Sequence, residues 1–504
     1  MKTQLERSTW MRRINGLIVI GAAAWFFLLP GAILMRDLSD PALRQPVGIP
    51  RVAWRMHASL TPRYATWARA RVESGRAAQA PLYDVVATEW AMFGSVFYLT
   101  ATENLQREWE KHPGRPTPTA PAVYARETIE AAADLVLDPA HHTWVKTHWG
   151  ADYLHRENVF FRAMLIQAMM ARENLIRDGR DLPMLRDQVE TLSSELDAAP
   201  HGLLNDYPAE CYPIDVFAAV AMIRRADSLL GTDHSAFVER QRRAFSGSLV
   251  DACGLPGYFA APKSGQLEDS SRGIGNSYVL IYCPELYPDW APDWYDRYVK
   301  GFWQHRMGAA GFREYARDVP GKDWFYDVDA GPVIAGFGPA ANAYGVAAAR
   351  ANGRFDNAWT LSSQVLAASW PLPGGVWLGA RILSNAAHAP YLGEANLLFL
   401  FTTMPAPGVP IRTGGAMPLL VYLFLIGYIG LGLFAIVSGV RGLRRAGTMP
   451  LPPGIRVQFV AWAVLLAGGV ITFAFRQTGI GVILLLAAQF FPRGKAGPDK
   501  PRVA

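Results

Sequence analysis

Six polar junctions divide this chain at a spacing of roughly sixty residues, each just ahead of a stretch with helical hydrophobic periodicity. They lie at Glu89 and Trp90, Glu157 and Asn158, Pro213 and Asp215, Arg272 and Asn276, Asp327 and Asp329, and His388 and Glu394. Sixty residues make one helical hairpin, two helices of ~15 residues with their connections. Hairpins repeated in this way predict a closed ring of helix pairs, the all-α (α/α)6 barrel. The inner helices of such a ring run parallel, so their N-termini open onto one mouth. Polar groups at those N-termini converge there.

The inner helices are expected to begin near Glu89, Glu157, Pro213, Gly273, Ala330 and Tyr391. The outer set is expected over residues 52–72, 123–137, 182–196, 235–250, 293–303 and 355–368. Pro213 suits the first turn of a helix. Pro332 and Pro339 imply an irregular turn ahead of the fifth inner helix. The turn-rich stretch 254–265 predicts a short β-hairpin over the mouth.

Apolar segments flank this repeat. Residues 14–35 form a nearly unbroken run of bilayer length, preceded by Lys2, Arg7, Arg12 and Arg13. No small-x-small cleavage pattern follows, which predicts an uncleaved anchor within residues 1–36. Further spans are expected at residues 416–440 and 457–475, with a short or half-inserted one at 479–491. Basic residues punctuate them: Arg441, Arg444 and Arg445 in the loop 441–456, and Arg493, Lys495, Lys500 and Arg502 in the tail 492–504. The positive-inside rule places every one of these clusters in the cytoplasm. Residues 37–415 then lie outside, which in a bacterium means an inner-membrane protein whose large domain faces the periplasm or cell exterior.

The net charge of +6 belongs to these flanks, so it is no sign of nucleic-acid binding. Cys211, Cys253 and Cys283 are too few and scattered for a disulfide scaffold, and no zinc-type spacing occurs. No metal and no cofactor is called for. The lipid bilayer is one expected partner, and the sequence leaves the oligomeric state open.

Four constellations can carry chemistry. Residues 206–215 bring Asp206, Glu210, Tyr212 and Asp215 into the start of one helix. A carboxyl group serves as general acid or base once burial or a neighbouring charge moves its pKa. Asp215 in a first helical turn also complements the helix dipole, which is its simpler explanation. In residues 268–277, glycines let the backbone approach a ligand, and Arg272 offers a fixed fork beside Asn276. The alternative is a loop whose arginine pairs with Asp269. Arg313 and Glu314, then Trp324, Tyr326, Asp327 and Asp329, suggest a polar site walled by aromatic rings, or else a buried Arg–Asp pair and a helix cap. Residues 147–158 add His148, Trp149, His155, Glu157 and Asn158, where histidine is the usual proton carrier near neutral pH. A loop histidine is otherwise a surface or packing residue.

Over residues 83–371 the sequence resembles the linalool dehydratase/isomerase family. The stretches that carry the resemblance are 149–161, 215–233, 263–298 and 313–331. It implies an (α/α)6 barrel outside the cytoplasm performing cofactor-free acid–base chemistry on a small alcohol, by hydration, dehydration or isomerisation. At the positions of that family's cysteine pair this chain has Asp206 and Asp215, and at its histidine and aspartate it has Met164 and Met92. The scaffold is thus expected to be shared while the chemistry moves to carboxylates. Asp215, Asp327 and Asp329 are the expected catalytic groups. Trp149, Glu157, Asn158, Asp206, Glu210, Tyr212, Arg272, Asn276, Arg313, Glu314, Trp324 and Tyr326 are the expected substrate contacts. Two other functions fit the same residues: a glycan hydrolase or lyase using paired carboxylates, and a non-catalytic binding component of a membrane assembly.

Overall fold

A computed structural model describes residues 2–81, 84–384, 387–447, 454–474 and 484–491. The chain divides into two compact units, one of them Leu34–Tyr422 and the other drawn from the segments on either side.

The larger unit alternates outer and inner helices: α1 (Arg51–Glu73), α2 (Trp90–Lys111), α3 (Arg126–Leu137), α4 (Val159–Ile176), α5 (Leu182–Ala198), α6 (Pro213–Leu230), α7 (Ser235–Gln241), α8 (Gly273–Leu286), α9 (Ala291–Phe302), α10 (Pro339–Ala351), α11 (Phe355–Ala368) and α12 (Leu392–Thr402). The even-numbered helices pack in series, α2 on α4, α4 on α6, α6 on α8, α8 on α10 and α10 on α12, and α12 closes back on α2. The odd-numbered helices cover them from outside, so the chain is an (α/α)6 barrel. Burial follows from this layering. Helix α4 is covered nearly all round, and the polar side chains it buries are paired, Arg162 with Glu195, Arg172 with Glu130 and Asp178, and Gln167 with Thr100. Helix α9 has only one covered face and buries Trp294, Tyr295, Tyr298 and Phe302 along it.

Four two-stranded antiparallel hairpins interrupt the helices: β1–β2 (Phe259–Ala261, Gln266–Asp269), β3–β4 (Trp303–Arg306, Ala309–Phe312), β5–β6 (Trp324–Asp327, Gly331–Ile334) and β7–β8 (Pro371–Leu372, Val376–Trp377). The first is the expected hairpin. The third corrects the fifth inner helix, which begins at Pro339 rather than near Ala330. Gly331, at φ +77°, turns the chain back into β6, and Pro339 then supplies a helical first turn. Several outer helices are also shorter than their hydrophobic patterns. Residues 235–250 become α7 followed by two 3-10 turns, and α3 starts at Arg126 after a separate turn at Pro121–Tyr124.

Aromatic side chains fill the barrel between its ends. Phe97 on α2 stacks on Phe399 of α12, centroids 5.1 Å apart, and reaches Tyr344 of α10 at 6.1 Å. Tyr344 meets Tyr278 of α8 at 5.4 Å. These rings link α2, α12, α10 and α8 across the interior at mid-height.

In the other unit, two helices are long and apolar enough to cross a membrane: Thr3–Leu38, which runs on into the barrel unit, and Leu419–Arg445. A third helix, Ile455–Ala474, covers the next expected span. Only residues 484–491 of the last expected segment are described, and the tail from 492 lies outside the described residues. A Cβ on Gly439 would stand 2.9 Å from the Gly16 carbonyl, so the two long helices cross where both have only hydrogen. Asn15 is buried there but satisfied: its amide donates to the Phe491 carbonyl and its oxygen accepts from Trp462 Nε1. Among the described residues all three cysteines are free thiols.

Candidate active site at the N-terminal mouth of the barrel

The segment ahead of α6 ties three inner helices together. Asp206, 1 % exposed, accepts from the N–H of Phe160 in the first turn of α4 and from that of Tyr212, both at 2.8 Å. The Tyr207 hydroxyl donates to Glu89, which immediately precedes α2. The same mouth is closed from the other side by β5–β6. There the Tyr258 hydroxyl donates to Asp329 at 2.8 Å, and the Tyr258 ring packs against Tyr212 with centroids 5.4 Å apart.

Arg272, just before α8, is buried at the centre of this second half. Its Nε donates to Glu314 and its Nη2 to Asp327, both at 3.0 Å, and its guanidinium lies 4.4 Å from the Tyr258 ring centroid. The alternative pairing with Asp269 does not form. The two glycines that follow do not open the backbone to a ligand, as expected from sequence; they admit protein. A Cβ on Gly273 would fall 2.1 Å from the Arg313 carbonyl, and one on Gly275 would crowd Ile214 and Tyr258.

These contacts sort the carboxyl groups by proton affinity. Burial pushes Glu89 up to about 8, with Asp329 and Asp206 adding to the rise against the Tyr207 hydrogen bond. Burial pushes Asp206 up to about 7 despite its two backbone donors. Asp215 is held well above the usual carboxylate range by burial and then by Asp206, Asp329 and Glu89. Asp329, at the exposed rim, is raised by crowding from protein atoms, which Tyr258 and Arg272 oppose. Asp327 goes the other way: the N–H groups of Ala330 and Asp329 and the Arg272 charge outweigh its burial. Burial also raises Glu314 to about 8 against Arg272, so Asp327 is the main counter-charge to Arg272.

The remaining expected residues are placed differently. Glu157 and Asn158 occupy left-handed backbone at the entry to α4, φ +43° and +56°; Glu157 accepts from Asn205, and the Asn158 amide lies 3.5 Å from the Tyr153 carbonyl. Glu210 is exposed, 3.4 Å from the Tyr212 hydroxyl. Asn276 donates back to the Arg272 carbonyl within its own helix. Arg313 spends its guanidinium on Asp323, Gln304 and the Tyr315 carbonyl, away from the acids. Trp324 and Tyr326 alternate with Phe325 and Asp327 along β5, so they stand on the hairpin's outer face, 62 % and 75 % exposed. Trp149 is buried, and it is Trp144 that approaches Tyr207, at 5.8 Å. The sixth junction holds a structural acid: Glu394 is fully buried and bonded to Arg381 and the Trp377 N–H. Glu89, Tyr207 and Tyr258 join the acids without having been assigned from sequence. Glu89 stood at a recognised junction, and Tyr207 lies beside Asp206. Tyr258 gave no signal beyond its place in a turn-rich hairpin.

Raised acids give a stability prediction. Glu89, Asp206 and Glu314 bind protons more tightly folded than unfolded. Their contribution is complete below the unfolded carboxylate range and is lost as pH rises through about 7 to 8. Each then costs up to about 1.4 kcal/mol per pH unit. The melting temperature in detergent is expected to fall between pH 5 and pH 8, and Glu89→Gln to flatten that slope. A melting temperature that rises over this range, equally in both proteins, refutes the assignment.

No family model matches this chain, and no curated protein matches it. Among solved structures it is similar to a family 76 glycoside hydrolase from a bovine Bacteroides thetaiotaomicron strain, at 11% identity and a TM-score of 0.36, over 64% of this chain and 69% of that one.

Proposed function

We propose that this protein is a membrane-anchored enzyme that cleaves a glycan by carboxylate acid–base chemistry at the N-terminal mouth of its barrel, outside the cytoplasm. The observation that carries the proposal is the convergence on one mouth of Asp215, in the first turn of α6, and Asp329, held by Tyr258, whose ring packs on Tyr212 just ahead of α6; burial raises both carboxyls, Asp215 the more. Asp215, raised further, keeps its proton and is the general acid. Asp329, raised less and nearer solvent, ionises first and is the base. Asp215 protonates the glycosidic oxygen as its C–O bond breaks, and Asp329 takes the proton of the water that attacks the carbon. Asp327 and Glu314 hold Arg272, which in turn positions Tyr258 against Asp329.

A polyhydroxylated substrate fits this mouth better than a monoterpene alcohol. Glu89, Asp206, Asp215, Tyr207, Tyr212 and Tyr258 supply buried or half-buried hydrogen-bonding groups, and Asp329 adds one at the exposed rim. A sugar's several hydroxyls can use the lone pairs these groups keep beside their mutual hydrogen bonds, whereas the single hydroxyl of a terpene alcohol uses one. The dehydration or isomerisation of a small alcohol is the second reading, and it uses the same Asp215.

Spheroplasts carrying the protein, given soluble polysaccharides that do not cross the membrane, test function and orientation together. Release of new reducing ends or unsaturated products, absent from cells without the protein, is expected. Activity that appears only after lysis overturns the orientation. No cleavage across mannans, glucans and peptidoglycan fragments, together with turnover of allylic alcohols, overturns the glycan proposal.

A further inference from the structure

The opposite end of the barrel holds a cavity of about 290 Å³, close to the lower limit for small-molecule sites. All six inner helices contribute to it, from their C-terminal halves, whereas the acids of the mouth stand at or ahead of helix N-termini, with the Phe97, Tyr344 and Phe399 rings between. Its charges cancel in pairs: Glu103 with Arg107, Glu108 with Lys111, and Glu285 with Arg225. A charged ligand therefore finds no net field to favour it.

Two edges in this cavity are left unspent. Arg225 uses Nε and Nη2 on Glu285, and among the described residues its Nη1 has no protein partner. Glu103 is 5 % exposed; its Oε1 receives both Arg107 and Asn174, and its Oε2 receives nothing among the described residues. Both residues line the cavity, so a donor and an acceptor face one small space. Phe399, Met170 and Ile281 make an apolar wall beside them. Neighbouring hydroxyls, each able to accept from Arg225 and donate to Glu103, satisfy both edges, while a ring's C–H face suits the wall. We propose that this cavity is a second binding site, for a neutral polyol of monosaccharide size, distinct from the acid mouth.

The test uses the full chain in detergent, with saturation-transfer NMR of D-glucose and myo-inositol as probes and choline and acetate as charged controls. Transfer to at least one polyol and to neither control is expected. Arg225→Lys keeps a cation for Glu285 but removes the Nη1 edge, and Ala351→Leu fills the cavity without touching a polar group. Each is expected to weaken polyol binding at least 10-fold, with circular dichroism unchanged. Asp329→Asn, at the other end, is expected to leave it intact. The proposal is overturned if neither polyol binds, if the charged probes bind as well, or if binding survives both cavity variants and is lost with Asp329→Asn. That last pattern places the polyol in the acid mouth and leaves the glycan proposal standing.

Discussion

Asp215→Asn is expected to lower turnover by about 10²–10⁴-fold, the usual worth of a positioned general acid, with little change in melting temperature. Asparagine keeps the size and most of the hydrogen bonding but has no proton to give. Asp215 also sits in the first turn of α6, where a carboxylate stabilises a helix by about 0.3–1 kcal/mol. Its raised proton affinity weakens that second role, because a neutral carboxyl does not complement the dipole. The two explanations thus separate cleanly. A cap predicts full activity and a small stability loss; an acid predicts the reverse. Asp329→Asn serves as the partner experiment from a different hairpin, since Asp329 is the proposed base. Its loss should be comparable and should not multiply with that of Asp215→Asn, because the two act in one step. Full activity of both variants, each folded, leaves the barrel as a binding protein.

The ring was legible because its cause is periodic. Each hairpin must bury one face against its neighbours, and that requirement repeats in the sequence as a helix start every sixty or so residues. Asp215 and Arg272 were found through the same phase, since each stands at the start of an inner helix; Asp206 lies in the segment ahead of α6, and Asp329 in the β5–β6 turn that precedes α10. What stayed hidden was set by hairpins and rotamers. The pairing of β5 with β6 decides that Asp327 faces Arg272 while Trp324 and Tyr326 face outward, and local pattern alone does not fix which face is covered. The same hairpin displaced the start of α10 to Pro339. Glu394 shows the limit of the phase argument. It occupies the right junction, yet Arg381 and the Trp377 N–H consume its carboxylate. The cavity at the far end had no sequence signal. It is assembled from six different helices, with α2 supplying the largest share, and no local stretch of sequence marks it.

Arg272→Met is expected to destabilise the barrel by about 3–5 kcal/mol, the usual cost of removing one partner from a buried ion pair. Methionine roughly preserves the packing stem but leaves Glu314, fully buried, without its counter-charge. It also removes the cation stacked on Tyr258, and with it the support for the Tyr258–Asp329 hydrogen bond. Glu314 has an escape that most orphaned carboxylates lack, since burial already raises its pKa to about 8. Without Arg272 its proton affinity rises further, so Glu314 folds protonated; taking up that proton costs little at pH 5 and more at pH 8.5, so the loss should be smaller at pH 5 than at pH 8.5. Adding Glu314→Gln removes the orphaned charge and should recover at least half of the loss at pH 8.5, with little recovery at pH 5. Denaturant unfolding of the single and double variants at the two pH values measures this. Equal losses at both pH values, with no recovery in the double variant, would show that Arg272 acts through packing alone and that the charge balance assigned to this side of the mouth is wrong.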